Sequence, residues 1–180
     1  MDIRGQIRTK ILTQDFLREV FTYDFENGGL IWKRKADDCQ ENRRWNTRYA
    51  GKHAGSPNNQ GYLHVKLGGR KYKLHRLVFL YMHGYLPKIV DHKDNDLQNN
   101  RIENLRAADH QKNNYNCRIS SANTSGIKGV SWHKQHKKWY ATIRVNGKAV
   151  FLGIFDKKSD AEERVKAARE ELHGEFSNNG

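Results

Sequence analysis

VDHKDNDLQNNRIENLRAADHQKNNYN, from Val90 to Asn116, is the stretch on which the reading of this chain turns. Asp91 and His92 are adjacent, and on an extended strand adjacent side chains point to opposite faces. Asp91 can then face a metal ion while His92 faces a water. A carboxylate is a hard oxygen ligand for a divalent cation, and a neutral imidazole takes a proton from water. Both are needed to hydrolyse a phosphodiester. Asn113 follows 22 positions after Asp91, behind Asp109, a good N-cap for a short helix over HQKNNYN. A helix there puts the Asn113 amide oxygen near its first turn, where it completes a two-residue metal site. Asn104, in ENLR, carries an amide that both donates and accepts, and can tie the loop to the strand.

Outward from this stretch, Gly61 to His75 reads as a hairpin. Tyr62, His64 and Lys66 alternate with Leu63, Val65 and Leu67, and Gly68-Gly69 turns the chain back into RKYKLH. HRLVFLYMHGYLP is a helix from about His75, halted by Gly84 and Pro87, with Leu77, Val78, Leu80 and Tyr81 packing on the hairpin. The joint spacing of Asp91, His92, Asn104 and Asn113 resembles the HNH nuclease family, in its subgroup with Asn in place of the last His. The run NNRIENLR, Asn99 to Arg106, and the GY..V..GG..Y..HRLV pattern before it are similar to phage and intron-encoded members. DNDLQ, Asp94 to Gln98, departs from the family's usual Asp-Gly-Asn turn, which touches the loop more than the chemistry. By element order the resemblance runs from about Phe16 to Asn116. It implies a ββα-metal finger with Asp91 and Asn113 as metal ligands, His92 as general base and Asn104 as the residue that holds the loop. His75 recurs in the family pattern and is a further site candidate, although a histidine at a strand-helix junction is more often structural. His64, His83 and His110 read as surface or packing residues.

Toward the N-terminus, Thr13 to Phe21 reads as a helix capped by Thr13, followed by a hairpin of Tyr23–Phe25 and Leu30–Trp32 around Glu26-Asn27-Gly28-Gly29. Lys33 to Gly55 has little periodicity and many bases, and reads as a loop or extended arm. In it Arg43 and Arg44, with Lys33, Arg34, Lys35 and Arg48, either track a phosphate backbone or form a solvated basic loop. MDIRGQIRTK is charged, with no apolar run after it, so no signal peptide is expected.

Toward the C-terminus, SSANTS is small and polar and reads as a linker. Three strands follow, KGVSWH, WYATIRV and KAVFLGIF, with Asn146-Gly147 as a hairpin turn. A helix then starts at Ser159, with Ser159 and Glu162 as a capping box and Ala161, Val165, Ala168 and Leu172 as its sheet-facing side. Val130, Ile143, Leu152, Ile154 and Phe155 are assigned to the core. GVSW, KKWYATIRVNGK, FLGIFD and DAEERVKAA resemble the AP2 DNA-binding domain over Ser125 to about Asn178. The resemblance implies that the sheet enters the major groove, with Lys128, Ser131, Trp132, Lys134, Lys138, Trp139, Arg144 and Lys148 as its contacts. The plant families have Arg where this chain has Lys128, Ser131 and Lys134, so no target sequence carries over. Trp132 and Trp139 either reach DNA or pack against the helix.

Composition agrees with small basic modules. The chain has 180 residues, 36% of them hydrophobic, and a formal charge of +13, with pI near 9.8 and mean hydropathy −0.97. Such a charge points to a polyphosphate partner. No long apolar run or basic amphipathic helix suggests a membrane. Cys39 and Cys117 are isolated, so no structural zinc is expected. The fold class expected is α+β in small modules: an N-terminal helix/hairpin and basic arm over 1–59, an HNH domain over 60–118, a linker over 119–125 and an AP2-like domain over 126–180. The function expected is a divalent-metal-dependent endonuclease acting on double-stranded DNA, of phage free-standing or homing type. Mg²⁺ is its first-choice ion, with Mn²⁺ also serving, and a phage-infected or bacterial cytoplasm is its setting. One site per chain nicks a strand, and a double-strand cut takes a homodimer or two binding events. The alternative is a DNA-binding regulator whose nuclease finger is inactive.

Overall fold

The computed structural model describes residues 12–180, so the expectation for residues 1–10 lies outside the described part. The architecture is α+β, built of short helices and small sheets. Between Ala107 and Ala108 the chain divides into two compact units.

In the first unit, helix α1 (Gln14–Val20) starts at Thr13, whose hydroxyl accepts from the Phe16 N–H at 3.2 Å. Strands β1 (Phe21–Tyr23) and β2 (Leu30–Trp32) pair antiparallel. The first strand was expected at Tyr23–Phe25. It ends at Tyr23 because the Asp24 carboxylate accepts from the Glu26 and Asn27 N–H groups and turns the chain at once.

Within the stretch expected to be a loop, Lys33 to Gly55, lies helix α2 (Gln40–Tyr49), which carries Arg43 and Arg44 on its exposed side. This corrects the sequence reading. The helix's apolar face is only Trp45 and Tyr49, four residues apart in an otherwise polar run, so periodicity barely reveals it. It is held by Trp45 and Tyr49 packed around Trp32 at 5.3 and 6.2 Å. Its buried Asn46 accepts from the Lys35 N–H and donates to the Lys35 carbonyl and to Asp37. The Cys39 sulfur caps it by accepting from the Asn42 N–H.

Strands β3 (Ser56–Pro57), β4 (Leu63–Leu67) and β5 (Arg70–Lys73) form a three-stranded sheet. Helix α3 (Leu74–His83) follows and ends at Gly84 in the left-handed region. Its last carbonyls have no partner within the helix. Gln14 of α1 supplies one, donating to the Tyr81 and Met82 carbonyls at 2.9 and 3.3 Å. Leu17, Phe21, Leu30, Val65, Leu77 and Val78 fill the core between these elements. Strand β6 (Ile89–His92) pairs with β7 (Leu105–Ala108), and a 3₁₀ turn (Ile102–Asn104) precedes β7. The β1–β2 hairpin braces the loop between them. Tyr23 accepts from the Ile102 N–H at 2.9 Å, and Arg101 donates to the Glu26 carbonyl at 2.6 Å. Gly28 lies so close to this loop that a Cβ there would sit 2.7 Å from the Arg101 nitrogen.

In the second unit, helix α4 (His110–Tyr115) is capped by Asp109, which accepts from the Lys112 N–H at 2.8 Å. The segment 119–125 is tied into this unit at its end: the buried Ser125 hydroxyl bonds to the Val130 and Ile127 carbonyls at 2.7 and 2.9 Å. Strands β8 (Val130–His133), β9 (Lys138–Val145) and β10 (Lys148–Phe155) form an antiparallel sheet in the order β10-β9-β8. Asn146 and Gly147, both at positive φ, make the turn between the last two. Helix α5 (Lys158–His173) lays Ala161, Val165 and Ala168 on one side of the sheet, and a 3₁₀ turn (Gly174–Phe176) follows.

Three local expectations are corrected here. No capping box forms, because α5 starts at Lys158 and leaves Ser159 inside the helix, bonded to Asp160. Leu172, in the last turn, is 43% exposed, and Arg169 is buried on that side instead. Ile154 is exposed, because a bulge between Phe151 and Gly153 resets the alternation of β10. Among the described residues no helix is long and apolar enough to cross a membrane.

Asn46→Ala should destabilise the first unit by about 1–3 kcal/mol, since it strips buried partners from Lys35. The exposed control Arg43→Ala should change stability by less than about 0.5 kcal/mol. Chemical denaturation of both variants checks this; equal midpoints would show that α2 does not depend on Asn46.

Candidate active site

β6 ends in two buried polar residues that leave the strand on different sides. Asp91 meets β7, where Arg106 donates from both Nε and Nη2 to Asp91 Oδ2 at 2.9 Å. Both contacts fall on one carboxylate oxygen and hold Asp91 against β7.

His92 turns to the loop and to α3. Its Nε2 lies 3.3 Å from Oδ1 of the buried Asn100. The Asn100 amide is oriented by its own Nδ2, which donates to the Gln98 carbonyl at 2.9 Å. The oxygen therefore faces the imidazole, Nε2 carries the hydrogen, and the lone pair resides on Nδ1. The His75 ring stands edge-on to His92 at 4.8 Å, and Tyr62 lies 5.4 Å from His75. Burial lowers the His92 pKa against the raising effects of Asn100, Asp94, Asp91 and Asp96. Burial, with the charges of His92, Lys73 and Arg76, pushes His75 down to about 3. Both rings are neutral near pH 7, as an acceptor of a proton from water must be.

The connecting loop is closed by Asn104. Its Oδ1 accepts from the Asp94 N–H at 3.1 Å, and its Nδ2 donates to Asp94 Oδ1 and to the Asn99 carbonyl at 2.9 and 2.8 Å. Its backbone carbonyl accepts from the Lys93 N–H at 2.9 Å, next to His92. Burial alone would raise the Asp94 carboxyl, but hydrogen bonds from Asp96, Asn99 and Asn104 outweigh it and hold it below its ordinary value.

Among the described residues no three or more His, Cys, Asp or Glu side chains gather as a metal cluster. A divalent ion here would have to use fewer carboxylates and rely on amide oxygen or water. The hard oxygens of Asp91 and of an asparagine fit that requirement. Asp91, His92, Asn100, Asn104, Arg106 and His75 all belong to the first unit. Asn113 lies half-buried on α4, in the second.

The expected DNA contacts fall on different surfaces. Cross-strand partners share a face, and the pairing sets Ser131, Lys138 and Arg144 on the side of the sheet away from α5. Lys134 and Lys148 are exposed at the two turns. Trp139 packs toward the α5 core, with Trp132 edge-on to it at 5.0 Å. Lys128 is turned inward, donating to the Tyr115, Cys117 and Asn178 carbonyls. An ammonium has three donors, so none is left for a phosphate.

Asn100 and Arg106 were not singled out from sequence, although both lie inside the quoted stretch. Arg106 is recognised only through the pairing of β6 with β7, and Asn100 only through the way the loop folds back.

Residues 72–115 match the family described as HNH endonuclease. Protein 3.8 of Escherichia phage T7 is 34% identical over 96 residues, which cover 52% of this chain and 78% of that protein. A protein of Acanthamoeba polyphaga mimivirus, named as an uncharacterized HNH endonuclease, is 31% identical over 110 residues, covering 59% of this chain and 56% of that protein. No solved structure matches.

His75 is buried with a pKa below its unfolded value, so the unfolded chain takes up that proton first as the pH falls. Its stabilising contribution is complete above about pH 6.5 and shrinks toward pH 3, by up to about 1.4 kcal/mol per pH unit. His75→Phe keeps a flat ring and should flatten the stability profile between pH 7 and 5. A profile as steep as wild type would refute the assignment. For His92, ¹⁵N NMR should show the Nε2–H tautomer, and Asn100→Leu should shift the population toward Nδ1–H.

Proposed function

Since the chain carries the HNH endonuclease segment and belongs to one family with protein 3.8 of Escherichia phage T7, we propose that it is a metal-dependent DNA endonuclease of phage free-standing or homing type. The observation that carries this reading is the Asp91–His92 pair: a carboxylate and a neutral imidazole, buried side by side and each oriented by its own partner.

His92 acts as general base, its Nδ1 lone pair taking the proton from the water that attacks the scissile phosphate. Asn100 keeps that nitrogen unprotonated. Asp91, steadied by Arg106, and Asn113 are the residues that would hold the ion. A bound Mg²⁺ or Mn²⁺ would supply charge stabilisation at the phosphate and the leaving 3′ oxygen. Asn104 keeps the loop closed, so that His92 and Asp91 hold their geometry before substrate arrives. His75 walls the imidazole and stays neutral.

The substrate is double-stranded DNA. Residues 60–118 form the nuclease segment and 126–180 an AP2-like targeting domain. Ser131, Lys134, Lys138, Arg144 and Lys148 contact the duplex through that domain, Trp132 stands with Trp139 on the α5 side, and Arg43 and Arg44 add phosphate contacts from α2. Lys128 and Trp139 serve the fold instead. The setting is the cytoplasm of a phage-infected or bacterial cell, and one site per chain makes a nick unless two chains act together.

Purified protein should nick plasmid and phage DNA with Mg²⁺ or Mn²⁺ and stop with EDTA. His92→Ala should lose about 10²–10⁴-fold in rate while binding DNA like wild type, and Asp91→Ala should lose cleavage as well. Equal binding by wild type and His92→Ala, with no cleavage by either on any substrate, would replace the nuclease with a DNA-binding regulator.

A further inference from the structure

Among the described residues, α5 is the helix that packs on the second unit's sheet, and it covers one side. Pairing sets the other side: Ser131, Tyr140 and Ile154 stand in one row, Thr142 and Phe151 in the next, and Arg144 and Ala149 beyond. Phe151 and Ile154 are three residues apart, a separation that normally places side chains on opposite faces. The bulge at Leu152 inserts the extra residue that turns both outward. They are 56% and 44% exposed. Tyr140 meets Phe151 edge-on at 5.5 Å and lies flat on His133 at 4.4 Å.

The centre of this face is therefore apolar, in a chain of charge +13. Cations stand at its ends: Lys134 and Lys137 at one turn, Arg144 and Lys148 toward the other. Exposed apolar surface bordered by charge marks a contact site, and cations at both ends suit the phosphate walls of a groove. A polar centre would select bases by hydrogen bonds. An apolar centre finds one matching feature in the major groove, the 5-methyl group of a pyrimidine. The spacing fits too. Neighbouring rows on a strand are about 6.8 Å apart, two base steps of about 3.4 Å each along one DNA strand. Stacking of unpaired bases is less well matched, because the Tyr140 ring already has His133 against its face.

We propose that Phe151 and Ile154, backed by Tyr140, read pyrimidine 5-methyl groups two base steps apart, so that the sheet favours duplexes carrying thymine, or methylated cytosine, at those positions. This rests on the DNA-targeting reading above and adds the residues that set its specificity.

The test compares duplexes that differ only in the methyl group. Full-length protein is titrated in EDTA, at one salt concentration, with oligo(dA)·oligo(dT) against oligo(dA)·oligo(dU). A second arm uses alternating G·C duplexes with and without 5-methylcytosine, which removes A-tract shape as a cause. The methylated duplex of each pair should bind about fourfold more tightly per methyl contacted. Phe151→Ala and Ile154→Ala, both at exposed positions, should keep the wild-type melting temperature and shrink that ratio toward one. Equal wild-type affinity for the two members of each pair overturns the inference and leaves DNA targeting standing. Tighter binding of the matching single strand, lost in Phe151→Ala, overturns it in favour of base stacking. Binding to no duplex at all overturns the DNA-targeting reading together with it.

Discussion

Burying a carboxylate next to an imidazole costs several kcal/mol unless each meets a partner suited to its charge state. Asp91 and His92 meet that constraint in different ways, and much of the first unit follows from it. The carboxylate is matched by a guanidinium on the neighbouring strand. Burial keeps the imidazole uncharged, and a neutral amide beside it selects one tautomer.

Partners so placed need a rigid loop, because Asn100 and Asn104 are brought to β6 by ten or so residues without regular structure. The loop is closed from inside by the Asp94–Asn104 pair and from outside by the β1–β2 hairpin, through Tyr23, Arg101 and the close approach at Gly28. The hairpin contributes no group to the chemistry. Its part is to make a polar loop behave as a fixed element, which keeps the site ordered before substrate binds.

Positive charge has two separate uses in the second unit. Lys128 and Arg169 lie inside it, with Lys128 donating to three backbone carbonyls and Arg169 donating to the Lys128 carbonyl. Both are held below their ordinary pKa, chiefly by burial. Such cations tie the chain together through backbone carbonyls. Lys134, Arg144 and Lys148 remain at the surface, where they keep their hydration and carry no desolvation cost of this size. The net charge of the chain counts the two groups alike, although only the exposed one presents its charge to solvent.

Local chemistry is written plainly in this sequence. Asp109 as an N-cap, Asn146-Gly147 as a hairpin turn, Gly84 as a helix stop and the alternation of Leu63, Val65 and Leu67 are each decided by neighbouring residues, and all were legible. The candidate pair Asp91–His92 and the loop role of Asn104 were legible for the same reason, since they rest on spacing within one short run. What depends on distant partners was not. Helix α2 has an apolar face of only Trp45 and Tyr49 and is made stable by Trp32 and by the bonds of Asn46; Arg106 acquires its role only when β7 pairs with β6; Lys128 turns inward because three carbonyls wait for it. The bulge at Leu152, which moves Ile154 from core to surface, is likewise settled by the register of two strands. Sequence by itself determined which groups are present and which short elements they start or stop, because propensity, capping and turn chemistry act over a few residues. Tertiary structure decided which polar groups are buried, with what partner and on which face, because desolvation and pairing act across the fold.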